Sequence, residues 1–379
     1  MEQIELPYAP PPPDWKQRAL AILAMIVPVL IVAVAVLAVR PGANVQMWIL
    51  VGVIVVALAF DYVNGMNDAA NAIATVVATR VLPPLMALLM AAAMNFLGAI
   101  THTEVAKTIA SIYADPGQAT MLMLLCGLLG AVIWSWAMTR LGLPVSISHA
   151  LIGGLVGVAV LAHIGLNVAK LKAIVLWIFL APIVGFICAF LLMLLLMWCF
   201  HSVAQHKLNR HFRVLQLCSS AAMAFSHGMN DAQKAMGAIT LALVASGASV
   251  AVDPNGGYQV PLWVIIACAT VIALGTGVGG WRVIRTLGHR MIKLMPVHGF
   301  AAETAATGTI IVATMAVNMP VSTTHVITSA IMGVGASKRL SAVRWGVATN
   351  IAVAWILTIP ACALTGALLY ALVRALGQS

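Results

Sequence analysis

The tetrapeptide Gly-Met-Asn-Asp occurs twice in this chain, at residues 65–68 within NGMNDAANAIAT and at residues 228–231 within HGMNDAQKAMGAIT. The chain has 10 acidic residues among 379, and each copy uses one of them inside a stretch otherwise apolar enough to cross a bilayer. An ionised side chain at mid-bilayer costs roughly 3 kcal/mol on insertion scales, so Asp68 and Asp231 are expected to have chemical roles. A carboxylate at that depth can bind a sodium ion, hold a transferred proton, or accept the P–O–H proton of a partly protonated phosphate. Asn64, Asn67, Asn71 and Asn230 offer neutral oxygens beside them.

A second duplicated motif supplies the complementary chemistry. LGLPVSISHALIGGLVGV (141–158) is similar to NMPVSTTHVITSAIMGVG (318–335), with Pro144, Ser146, Ser148 and His149 matching Pro320, Ser322, Thr324 and His325. Proline at a first helical turn, followed by hydroxyls, predicts a helix N-terminus whose free N–H groups and positive dipole end suit an oxyanion. Ser146, Ser148, Ser322, Thr323 and Thr324 add donors without adding net charge. A site made only of donors would suit sulfate and phosphate alike, whereas Asp68 or Asp231 supplies the acceptor that a protonated phosphate needs. The copies differ: Ile147 stands opposite Thr323, while Ala70 and Asn71 stand opposite Gln233 and Lys234. Lys234, one turn past Asp231, can pair with that carboxylate or with the anion.

The elements that position these groups follow from composition. With 62% hydrophobic residues, 8% charged residues and a mean hydropathy of +1.04, the chain cannot cover itself with polar surface as a soluble globule does. Backbone groups in lipid must be satisfied internally, and the long apolar runs without alternation predict helices rather than barrel strands. Segments are expected near 19–39, 46–79, 85–105, 118–139, 143–163, 171–200, 214–245, 261–280, 298–318, 319–336 and 342–373. Residues 1–18 form a proline-rich tail, and residues 201–213 form a polar loop between a first transmembrane region (19–200) and a second (214–379). A helix break is expected at each Asn-Asp motif, because glycine tolerates unwinding and Asn or Asp caps the next turn. Basic residues in short loops account for the net charge of +10 as a topology signal, without nucleic-acid binding. The 6 cysteines lie singly in apolar segments as small core residues.

The Asn-Asp motif repeats at an offset of 163 and the Pro-Val-Ser motif at 176, in the same order in each half. Two similar membrane halves with interrupted polar motifs predict an all-α polytopic protein with inverted repeats, broken helices, re-entrant hairpins and roughly 10–12 membrane segments. The site of such a secondary transporter lies near mid-membrane between the repeats.

These paired motifs, together with AAMNFLGA (92–99) and GFAAETAA (299–306), resemble the signature repeats of the inorganic phosphate transporter (PiT) family from about Phe60 to Leu340. The resemblance implies symport of inorganic phosphate with sodium or protons by alternating access. It places phosphate on Asn67, Asp68, Ser146, Ser148, Asn230, Asp231, Ser322, Thr323 and Thr324. It places the coupling ion on Asp68, Asp231, Asn64, Glu303 and Asn95, with sodium at Asp68 or Asp231; Glu303 matches a coupling glutamate and Asn95 is its first-half counterpart. The chain is expected to be no enzyme, to need no cofactor, and to reside in the cell (inner) membrane with lipid as its surroundings; a homodimer is compatible with it. A sulfate permease of the same architecture is the nearest alternative. A membrane-embedded phosphate-handling enzyme comes further off, since chemistry needs one site and alternating access explains two equivalent halves.

Overall fold

The computed structural model describes residues 45–252 and 257–376; the expected tail at 1–18 and the apolar segment at 19–39 lie outside the described residues. The described chain is helical: α1 (Val45–Ala78), α2 (Pro84–Ala99), α3 (Glu104–Ala110), α4 (Met121–Leu141), α5 (Ile147–Leu161) and α6 (Val168–Cys199) make the first half. The second half holds α7 (Gln205–Ala245), α8 (Leu262–Val278), α9 (Trp281–Arg285), α10 (Pro296–Ile311), α11 (Thr323–Lys338) and α12 (Trp345–Ala375). Among the described residues no strand forms beyond two isolated bridges. Five helices are long and apolar enough to cross a membrane, and the bent pairs α2–α3 (73°) and α8–α9 (60°) raise the number to 7. α5 and α11 are half-length, and α7 is too polar to pass that test although its middle is buried.

The halves exchange partners. α1 packs on α8 and α7 packs on α2, while α6 covers α11 and α12 covers α5. Each half thus completes the other's core, which is why Asp68 and Asp231 can meet although they are 163 residues apart.

Two sequence expectations need correction. The helix does not break at the Asn-Asp motifs: α1 runs unbroken for 34 residues and α7 for 41. Their glycines serve close crossing instead. A Cβ at Gly65 would stand 2.9 Å from Thr276 N and one at Gly275 3.0 Å from the Tyr62 carbonyl carbon, so α1 and α8 touch backbone to backbone. At the matching crossing of α7 on α2, a Cβ at Gly228 would lie 2.6 Å from Asn95 Cα and one at Gly98 2.9 Å from Met229 N. The breaks fall at the Pro-Val-Ser motifs, where residues 143–146 and 318–322 are non-helical. Pro144 and Pro320 lie two residues before the caps Ser146 and Ser322 rather than in the first helical turn. The second correction concerns residues 201–213: α7 begins at Gln205, so only the first part of that polar stretch is a loop.

Adding bulk at a backbone contact forces the helices apart, at a typical overpacking cost of about 1–3 kcal/mol. Gly275→Leu is therefore expected to lower the thermal midpoint of the detergent-solubilised protein. Gly308→Ala, which meets nothing within 4 Å, should leave it unchanged or raise it.

Candidate substrate and cation site

The site assembles from α1, α7 and the starts of α5 and α11. Asp68 and Asp231 are 1% and 0% exposed. Between them stands His227, whose Nε2 lies 3.6 Å from Asp68 Oδ2 and 3.5 Å from Asp231 Oδ2. One ligand atom from each of these three residues falls within a 4.8 Å cluster. The other imidazole nitrogen, Nδ1, is 2.7 Å from Asn95 Oδ1, and Asn95 Nδ2 donates to Thr276 Oγ1 at 2.8 Å. Asn95 thereby orients the ring so that Nε2 faces both acids. Lys234, 1% exposed, completes the second-half cluster with Nζ 2.7 Å from Asp231 Oδ2.

Asp68 is held from the opposite half. Thr323 Oγ1 donates to Asp68 Oδ2 at 3.2 Å and Thr324 Oγ1 to Oδ1 at 2.9 Å. Asn71, one turn along α1, donates to the same two hydroxyls at 3.3 and 3.1 Å. These contacts tie the first Asn-Asp motif to the second Pro-Val-Ser motif. Ser148 ties the Pro-Val-Ser motifs together by donating to Val321 O at 2.9 Å, and the rings of His149 and His325 meet edge to face at 4.5 Å.

The remaining expected residues divide into supports and participants. Ser146 and Ser322 are N-caps whose Oγ atoms accept from His149 N (3.1 Å) and His325 N (3.2 Å), each keeping its hydroxyl proton for a further acceptor. Asn67 Nδ2 donates to Thr139 Oγ1 at 2.7 Å, and Asn230 makes the matching 2.7 Å contact with Thr314. With its amide turned so that nitrogen faces Val321 O and Asp231 Oδ1 (3.1 Å each), Asn230 satisfies every neighbour. Both asparagines so clamp their helix to the segment leading into their own half's Pro-Val-Ser break. Asn64 is fully buried in the same helix face as Asp68, with both amide atoms unpartnered.

Glu303 lies apart from this cluster. It accepts hydrogen bonds from Thr75 on α1 and Ser219 on α7. Thr75 is two turns past Asp68, about 10 Å along the helix. His227 was missed at the sequence level because a histidine preceding a glycine carries no periodic or spacing signal. The 163-residue offset was the available clue, since it sets His227 opposite Asn64.

The phosphate transporter family model matches residues 64–366, a span that contains both copies of both motifs. The chain belongs to the phosphate transporter family. Among curated proteins, the "Probable low-affinity inorganic phosphate transporter" of Rhizobium meliloti (strain 1021) is 45% identical over 326 residues, covering 85% of this chain and 96% of that protein. Its namesake in Bacillus subtilis (strain 168) is 41% identical over 322 residues, covering 84% and 95%. A solved structure titled "The sodium-dependent phosphate transporter" superposes with a TM-score of 0.79 at 24% identity, covering 86% of this chain and 99% of that one, which shows the shared fold. The chain is thus a transporter embedded in the membrane.

Removing one partner of a buried ion pair leaves an uncompensated charge, at a cost of about 3–5 kcal/mol. In this family member, Lys234→Met should therefore sharply lower thermal stability, and adding Asp231→Asn should recover much of the loss. Equal midpoints for the single and double variants would contradict the pairing.

Proposed function

We propose that the chain moves inorganic phosphate across the membrane as a secondary active symporter driven by sodium or protons, through alternating access. The observation that carries this reading is the meeting of both Asn-Asp carboxylates at His227, with the second-half threonine hydroxyls on Asp68. The names of the curated relatives support phosphate as cargo, and the name of the structural neighbour supports a cation requirement.

Phosphate would sit at the N-termini of α5 and α11, where backbone N–H groups and the hydroxyls of Ser146, Ser148, Ser322, Thr323 and Thr324 converge. Asp68 and Asp231 accept its P–O–H protons, while Asn67 and Asn230 hold the acids in place. Cation binding is coupled to this through hydrogen bonds. With no added cation at Asp68, Thr323 and Thr324 donate to it; a cation beside Asp68 weakens that demand and releases the hydroxyls for the anion. Each ligand then strengthens the other's binding, as linkage requires. Asn64, Asn95 and Glu303 belong to the coupling role, Asn95 through His227 and Glu303 from two turns away. Burial of the whole cluster gives an occluded arrangement, to which opening on either side would admit ligand.

Uptake of labelled phosphate into proteoliposomes tests the reading. Asp68→Asn and Asp231→Asn are each expected to lower uptake at least tenfold, and normal uptake by both would reject a transport role for the two acids. Thr324→Ala should raise the KM for phosphate several-fold, since one hydrogen bond to a charged group contributes about 1.5–3 kcal/mol and part of that is recovered by rearrangement. Sulfate in roughly hundredfold excess should compete poorly, because it lacks a proton for the acids to accept. Equal competition would favour a sulfate carrier.

A further inference from the structure

The two Asn-Asp helices carry different charges at matching positions. At the 163-residue offset, Asn64 corresponds to His227, Asn71 to Lys234, and Asp61 to Ala224. The second half therefore has one acid with two basic side chains, and the first half has two acids with two amides. In space, Lys234 and His227 are both spent on Asp231 and Asp68. No basic side chain reaches Asp61 at ion-pair distance among the described residues.

Asp61 is 0% exposed and neither of its oxygens has a hydrogen-bond partner. Asn64, three residues on and so on the same face of α1, is also 0% exposed with both amide atoms unpartnered. Its amide lies near enough to the Asp61 carboxylate to interact with it, although no hydrogen bond within normal distance and angle limits joins them. His227, Asp231 and Lys234 on α7 and Cys268 on α8 lie within electrostatic reach of Asp61. A buried carboxylate with no partner cannot persist as a bare charge; it requires a cation or a proton. Two carboxylate oxygens and one amide oxygen, all buried without partners, are hard-oxygen ligands available to a single positive charge.

We propose that Asp61 and Asn64 form the binding site of one mobile monovalent cation, sodium or proton, while Lys234, paired with Asp231, serves as a tethered cation for the second half. The halves thus divide one task. The second half keeps its positive charge permanently, and only the first half exchanges charge with the compartments. The proposal rests on the reading of the chain as a cation-coupled phosphate carrier.

The test compares two modes of transport by the full chain in liposomes. The first is exchange of labelled for unlabelled phosphate at equal concentrations. The second is net accumulation driven by a sodium gradient at clamped pH, or by a pH gradient with choline replacing sodium. Asn at position 61 is an isosteric, neutral imitation of the occupied site, so the loaded carrier can still shuttle but no longer draws on the gradient. Asp61→Asn should therefore reduce the ratio of driven accumulation to exchange at least tenfold. Asn64→Ala, which removes an amide oxygen, should weaken the apparent affinity for the driving cation several-fold. Whichever gradient drives the unmodified chain identifies that cation. An unchanged ratio in Asp61→Asn, or equal loss of both modes in a variant that remains monodisperse, would overturn the proposal. If Asp61→Asn is not recovered folded, unchanged cation affinity in Asn64→Ala overturns it instead. Absence of both modes in the unmodified chain would remove the phosphate reading itself, a result distinct from a changed ratio.

Discussion

Buried carboxylate charge is the constraint around which this molecule is organised. Asp61, Asp68 and Asp231 are withdrawn from solvent together, in a region where an unpaired charge is strongly disfavoured. The fold answers each differently. Asp231 receives a lysine within its own helix, Asp68 receives hydroxyls from the opposite half, and His227 stands between the two. Of the three, Asp61 has neither an ion-pair partner nor a hydrogen bond among the described residues. That unmet charge is what the proposed cation at Asp61 would neutralise.

Proximity between the halves is what makes that arrangement work, and glycine makes the proximity. At both crossings, α1 on α8 and α7 on α2, glycines lie against the backbone of the partner helix in reciprocal pairs. Without bulk between them, the polar faces of α1 and α7 come within reach of each other and of the short helices α5 and α11. Continuous helices carry the acids on rigid scaffolds, while the broken Pro-Val-Ser segments present hydroxyls and free N–H groups. Rigid acids thus stand beside hydroxyls at a helix break, with Thr323 and Thr324 donating to Asp68.

The duplication is only approximate, and its departures are informative. The clamp of Asn67 on Thr139 is repeated by Asn230 on Thr314, and the serine caps are repeated as well. Charge is not repeated: the lysine and histidine occur in one half and the extra aspartate in the other. Geometry is thus shared between the halves while charge is not.

The sequence by itself determined the membrane class, the helical architecture and the twofold repeat, and it singled out most residues of the candidate site. Hydropathy and motif duplication are local or periodic signals, and Asp68, Asp231, Ser322 and Thr324 stand out within a few residues of chain. Tertiary structure alone decided what those residues touch. His227 became a bridge only when α1 met α7, and Glu303 met Thr75, two turns past Asp68, rather than the acids themselves. The Asn-Asp glycine, locally a helix breaker, became a packing surface because α8 or α2 lies against it. Helix continuity, partner choice and charge compensation all depend on neighbours more than a hundred residues distant, and no short window of sequence contains that information.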